Sequence, residues 1–187
     1  MDIDEIIGKL YELPEQSKAE LIACITEVVY PKGHILLKAD KIETDVYFIK
    51  KGIVRAYANN KEHQVTFWFG KEGDTVLSMK SYVANEKAYE DIELLENSEL
   101  YRLETRLLKN LFATDIHLAN WGRKLAEQEL IKTEERLISM QFKTAMERYK
   151  ELIKINPDLL QRVQLGYIAS YLGITQVSLS RLRADLR

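Results

Sequence analysis

Gln176, Ser178, Arg181 and Arg183 lie close together near the C-terminal end of a 187-residue chain. Each carries hydrogen-bonding groups suited to DNA. An arginine guanidinium bonds guanine O6 and N7 together, and a glutamine amide does the same with adenine N6 and N7. Hydroxyls serve phosphate oxygens, which fix register without reading sequence. Such a set works only if secondary structure delivers it to a groove, and the flanking residues predict that structure. Leu165, Ile168, Ala169 and Leu172 recur at helical spacing and mark one buried stripe. Gly173 stands where a helix needs a left-handed residue to stop. Thr175 is placed to cap the next helix through its hydroxyl. On that second helix Leu179 and Leu182 turn inward, and the four polar residues face outward with Val177 beside them. Two helices joined by a glycine turn, the second bearing Gln, Ser and Arg, match the helix-turn-helix pattern for the DNA major groove.

Charge is distributed to suit. The chain carries a net −2, yet from Gln161 onward Arg162, Arg181, Arg183 and Arg187 face a single acid, Asp185. Local charge, rather than the total, meets phosphate. With 46% apolar and 30% charged residues the composition is that of a globular protein. No run approaches the roughly 18 apolar residues of a membrane helix. The acidic start, Met1 to Glu5, lacks the features of a signal peptide. The one cysteine, Cys24, excludes an internal disulfide and a cysteine-held cluster within one chain. A cytoplasmic protein with no membrane partner is expected.

The first 25 residues read as helix, with Ile3, Ile6, Ile7 and Leu10 on one face. A second stretch after Pro14 carries Ala19, Leu21, Ile22 and Ile25. Short alternating or β-branched runs follow at 27–30, 34–37, 45–49, 53–57, 64–69, 92–95 and 99–103. Pro31-Lys32-Gly33, Lys51-Gly52, Asn59-Asn60 and Gly70 to Asp74 punctuate them. Many short strands predict a sandwich or barrel, the jelly-roll type among them. From about Thr114 to about Ile155 the chain turns helical, and Asn156-Pro157-Asp158 breaks it. Within this stretch Ile116, Ala119, Arg123, Ala126, Leu130, Thr133, Leu137 and Met140 step by three and four. Such a seam packs against a partner helix. Alternatively the helix lies on its own β domain, a role open to Trp121 and Leu125 on the neighbouring face.

The order of elements resembles the catabolite activator (Crp-Fnr) family of bacterial transcription regulators, across nearly the whole chain. The most specific segments are Ile168 to Thr175 and Leu179-Ser180-Arg181. Lys51 to Arg55 is similar to the family's strand-turn-strand element, and Gly70 to Asp74 to the loop leading into its ligand cassette. The resemblance implies an α+β chain. Residues 1–112 would form a jelly-roll-like β-roll of the cyclic-nucleotide-binding fold, 113–138 a connecting dimerisation helix, and 139–187 a winged-helix-like helix-turn-helix domain. It further implies a homodimer that binds double-stranded DNA and contacts RNA polymerase. Gln176, Val177 and Arg181 would fall at base-reading positions, and Thr175 and Ser178 at or near phosphates. Gln176 remains open between base contact and structural support. Arg183 and Arg187 read as backbone contacts or solvated charge. The chain ends at Arg187, so the hairpin wing that usually follows is expected to be missing.

The ligand region departs further from the family. Cyclic-nucleotide binders hold the ribose with a glutamate and the phosphate with an Arg-Ser pair, and a phosphate needs such fixed donors. Alignment from Gly73 puts Ser78, Ala88 and Tyr89 at those positions. Cyclic AMP in the usual mode is not expected, and no cofactor is. The candidate effector pocket comprises Ser78, Met79, Lys80, Ala88 and Tyr89, for an unknown effector if any. Lys80 and Lys87 could meet an anion or simply be exposed. Tyr82, Tyr89, Phe67 and Trp68 could line a pocket or belong to ordinary core. An enzyme is not expected, since no His-x-His pair, nucleophile elbow or phosphate loop occurs. The competing reading is a protein-interaction module, or a regulator whose β-roll no longer senses.

Overall fold

The computed structural model describes residues 1–59 and 63–185. Asn60, a predicted turn residue, and Arg187, a predicted basic contact, lie outside them. Strands form where branched and aromatic residues cluster. They are β1 Ile25–Tyr30, β2 Ile35–Leu37, β3 Asp45–Lys51, β4 Val54–Asn59, β5 Gln64–Gly70, β6 Thr75–Val76, β7 Asp91–Leu94 and β8 Ser98–Glu104. Two four-stranded sheets result, ordered β1-β8-β3-β6 and β2-β7-β4-β5. Neighbours β1–β8, β8–β3, β3–β6 and β2–β7 run antiparallel. Every run read from the sequence becomes a strand, with ends shifted by a residue or two. Only β6 is unheralded, because two residues cannot display an alternation.

Helices α1 (Ile3–Gly8), α2 (Glu15–Ala23), α3 (Met79–Ala84), α4 (Thr105–Thr114) and α5 (Ile116–Phe142) accompany the sheets. Val46 opposes Leu103 and Phe48 opposes Tyr101 across β3 and β8. These four join Ile6, Ile7, Leu21, Leu108, Leu118 and Trp121 in one buried core. Trp121 is wholly buried, edge-on to Phe48 at 6.0 Å, and its Nε1 donates to the Ile7 carbonyl at 3.1 Å. That bond satisfies the only polar group of the largest side chain in the core. Ile25, expected at the end of α2, is instead the first residue of β1, opposite Leu103.

The long helical stretch is interrupted twice. Helix α4 ends before Asp115, whose carboxylate accepts the amides of His117 at 2.7 Å and Leu118 at 3.3 Å to start α5. The Ser17 hydroxyl, followed by those two amides, holds this carboxyl below its ordinary value. At Thr144 a reciprocal capping box with Glu147 starts α6 (Ala145–Ile155). Helices α7 (Leu159–Arg162), α8 (Leu165–Leu172) and α9 (Gln176–Asp185) follow. Contacts divide the chain into two compact units, Met1–Ala56 with Phe69–Glu129, and Tyr57–Trp68 with Leu130–Arg187. Tyr149, Leu152, Leu159, Val163, Ile168, Ala169, Leu172 and Leu179 are buried apolar residues of the second unit's helical part.

Candidate nucleic-acid interface

Gly173 ends α8 in the left-handed region, at φ 69° and ψ 32°. Its amide donates to Ser170 O at 3.1 Å, and that of Ile174 donates to Ala169 O at 3.0 Å. A Cβ there would also meet Met140 Cε at 3.0 Å, so the turn has space as well as conformation reserved for glycine. Thr175 caps α9 as expected, its Oγ1 accepting the Ser178 amide at 3.1 Å. Leu179 is fully buried and anchors α9, whereas Leu165 and Leu182, expected inside, are half-buried.

The outward face of α9 carries Gln176, Val177, Ser180 and Arg181, with Val177 63% exposed. Among the described residues Arg181 has no ion-pair partner, so its guanidinium is free to meet a ligand. Two residues expected on the outward face are less exposed than the others. Ser178 is half-buried and its hydroxyl lies 3.0 Å from that of Thr175, so the pair caps the helix instead of offering free donors. Arg183 is half-buried rather than fully outward. Ser180, absent from the expected set, is exposed, and its hydroxyl bonds Gln176 O at 3.0 Å. Arg162 lies 3.6 Å from Asp158, so part of the local positive charge is neutralised within the chain.

Three further side chains hold α8, and none was evident in the sequence. Arg136 Nη2 donates to Tyr171 O at 2.7 Å, with the guanidinium 3.6 Å from the centre of the Tyr171 ring. Arg148 donates to Leu172 O through Nε at 3.2 Å and Nη2 at 2.9 Å, and to Lys143 O through Nη1. Burial pushes the Arg136 guanidinium below its ordinary value. Ser170 accepts the Thr66 amide at 2.9 Å and donates to Gln64 O at 3.1 Å. Apart from Arg148 and Lys143, these pairs are separated by 24 to 106 positions in the chain, and local periodicity carries no information over such distances.

On α5 the two faces read from the sequence differ in exposure. Trp121 is buried and Leu125 packs against the core of the first unit. The seam remains open: Ile116, Leu130 (61%), Leu137 (58%) and Met140 are exposed, as are Arg123, Ala126 and Thr133. Arg123 is paired with Glu127, and Ala119 is half-buried. Ile131, Ile138 and Phe142 widen the exposed apolar band beyond the expected seam.

The five candidate effector residues differ in exposure and in partners. Ser78 is buried and caps α3 by accepting the Ser81 amide. Ala88 is buried, its amide donating to Lys41 O at 2.8 Å and its carbonyl accepting from Asp40 at 2.9 Å. Met79 and Tyr89 are exposed, and Lys80 pairs with Glu86 at 3.1 Å. Local backbone contacts take the Ser78 hydroxyl and the Ala88 peptide groups. An open cleft of about 550 Å³ lies elsewhere, lined by Glu43, Ser81, Asn85, Glu104, Arg106 and Lys109 among others, and by none of the five.

The cyclic nucleotide-binding domain family matches residues 27–115. Among curated proteins none matches the chain. FixK2 from Bradyrhizobium japonicum is 22% identical, with a TM-score of 0.76 over 87% of this chain and 84% of that one. The c-di-GMP-responsive global regulator CLP of Xanthomonas campestris is 15% identical, with a TM-score of 0.73 over 92% and 91%. A putative Crp/Fnr-family transcriptional regulator from Eubacterium rectale is 16% identical, with a TM-score of 0.73 over 91% and 82%. No described helix is long and apolar enough to cross a membrane. Residues 27–115 are similar to the cyclic nucleotide-binding domain family, and the chain shares its fold with FixK2, CLP and the Crp/Fnr-family protein.

Proposed function

We propose that this chain is a homodimeric, sequence-specific DNA-binding transcription regulator that acts in the cytoplasm. The observation that carries the reading is the exposed face of α9. Gln176, Val177 and Arg181 stand outward at the start of a helix that Thr175 caps and Leu179 anchors. Arg181 supplies a bidentate donor for guanine, Gln176 one for adenine, and Val177 an apolar contact for a thymine methyl. The open α5 seam supports pairing with a second copy, which would present two such helices to half-sites about one helical turn apart. RNA polymerase is the natural further partner of such a regulator.

Cyclic AMP in the usual mode is not part of this function. Ser78 and Ala88 are committed to local backbone contacts, and neither they nor Tyr89 offers the charged groups a cyclic phosphate and its ribose require. The β-roll either takes a different effector or has none.

Selection of bound sequences from random duplex DNA, at moderate salt, tests the proposal. It is run without ligand and then with cyclic AMP. An inverted-repeat motif in the ligand-free arm is the expected result. A motif that emerges only with cyclic AMP would overturn the reading of the β-roll. Failure to enrich any sequence in either arm would count against DNA recognition itself.

A further inference from the structure

An α-helix leaves its last four carbonyls without intrahelical partners, and each needs a donor from elsewhere. In α8 these belong to Ala169, Ser170, Tyr171 and Leu172. The turn supplies the first two, through the amides of Ile174 and Gly173. The remaining two receive side chains from other helices. Tyr171 O takes Arg136 from α5, and Leu172 O takes Arg148 from α6. Both guanidiniums also sit at the negative end of the α8 dipole, which favours cations there. Arg136 gains further from the face of the Tyr171 ring.

We infer that Arg136 and Arg148 are positioning residues for DNA recognition, which fix the end of α8 and so aim the start of α9. The inference rests on the proposed DNA-binding function. Only Gly173, Ile174 and Thr175 separate the gripped end of α8 from Gln176, the first residue of α9. A shift of the Leu172 carbonyl is therefore passed to Gln176 and Val177 with little chain to absorb it. Met140, one turn beyond Arg136 on α5, lies close to Gly173 and fills the space beside the turn. Because α5 also carries the seam proposed for pairing, Arg136 ties the reading helix to the helix that sets its distance from a second copy.

Basic residues close to a DNA-reading helix are ordinarily taken as phosphate contacts, and the geometry separates the two roles. Arg136 donates to one protein carbonyl through Nη2, and Arg148 donates to two through Nε, Nη1 and Nη2. A phosphate contact contributes about 0.9 to the slope of log affinity against log salt. A positioning residue contributes nothing to that slope and acts on selectivity instead.

The test compares the full-length wild type with Arg136→Ala, Arg148→Ala, Arg136→Lys and Arg148→Lys. Binding is measured to a selected operator and to random duplex DNA across a salt series. Amide hydrogen exchange is followed at residues 173–179 without DNA. For the alanine variants we expect about a tenfold loss on the operator. Binding to random DNA and the salt slope stay unchanged, and exchange at the turn speeds up. Lysine, which keeps a cationic donor but not the planar fork, should restore part of the operator affinity, and it gives a folded comparison should alanine unfold the helices. A slope lowered by about 0.9 would make the residue a phosphate contact and overturn the inference. So would equal losses on both DNAs, or unaltered exchange at the turn. If the wild type itself selects no sequence, the functional reading fails first, and the inference falls with it even if exchange shows the arginines holding the turn.

Discussion

Arginines that look equivalent in the sequence have separate fates. Arg162 is paired with Asp158, Arg136 and Arg148 are spent on the carbonyls of α8, and Arg181 stands exposed on α9. Of these four, Arg181 is the one we propose reads a base. Arg181→Ala should therefore cost about 1–3 kcal/mol on the selected operator and almost nothing on random DNA, as measured by competition fluorescence anisotropy. Equal losses would make Arg181 a phosphate contact. What could be read at this scale was what acts locally. The left-handed turn at Gly173 and the cap at Thr175 depend on neighbours within a few residues. The roles of Arg136 and Ser170 depend on partners 35 and 104 or more positions away, which no local pattern can reveal.

Helix boundaries decide which side chains act together. The apolar repeat of α5 runs on toward Ile155, and read by itself it conceals the break that starts α6. The signal was nonetheless present in Thr144-Ala145-Met146-Glu147, a capping box in which hydroxyl and carboxylate each accept a backbone amide. Thr144→Ala should lower the unfolding free energy by about 1 kcal/mol in urea titrations. The same box makes α6 sensitive to acid. Hydrogen bonds from the Thr144 amide, and then its hydroxyl, hold the Glu147 carboxyl below its ordinary value of 4.5. A carboxylate with a lowered folded-state pKa contributes stability above its unfolded value and loses it as pH falls through the folded one. The gap in melting temperature between wild type and Glu147→Gln should accordingly be full near neutrality and close as pH falls below 4.5. A gap that persists unchanged into acid would refute the assignment. Helix α4 and strand β6 escaped the sequence reading for different reasons. The first follows β8 directly, without a breaker residue to announce it, and the second is too short to show a period.

Pairing belongs to the scale of the whole molecule. Leu130 and Leu137 expose apolar surface that has no role in a lone chain. Replacing both with glutamate should turn a dimer into a monomer in sedimentation velocity, with the melting transition preserved because neither residue is buried. It should also abolish selection of inverted repeats, as two-fold symmetry links the two. A wild type that sediments as a monomer at micromolar concentration would refute the pairing. The alternation of strands, the glycine turn and the seam made the architecture readable, since each is a repeating or local signature. The fate of the ligand cassette was readable only in part. The missing charges at Ser78, Ala88 and Tyr89 could be seen, but not the backbone bonds that occupy Ala88. The hydrogen bonds of Ser170 to Gln64 and Thr66 also bear on how the chain can be divided or recombined. The unit that contains α8 and α9 includes Tyr57–Trp68 as well, so no single scission of the chain releases it intact. A fragment beginning at α6 would leave Ser170 without its two peptide partners. A chimera that borrows α8 and α9 would have to borrow the adjoining ends of β4 and β5 along with them.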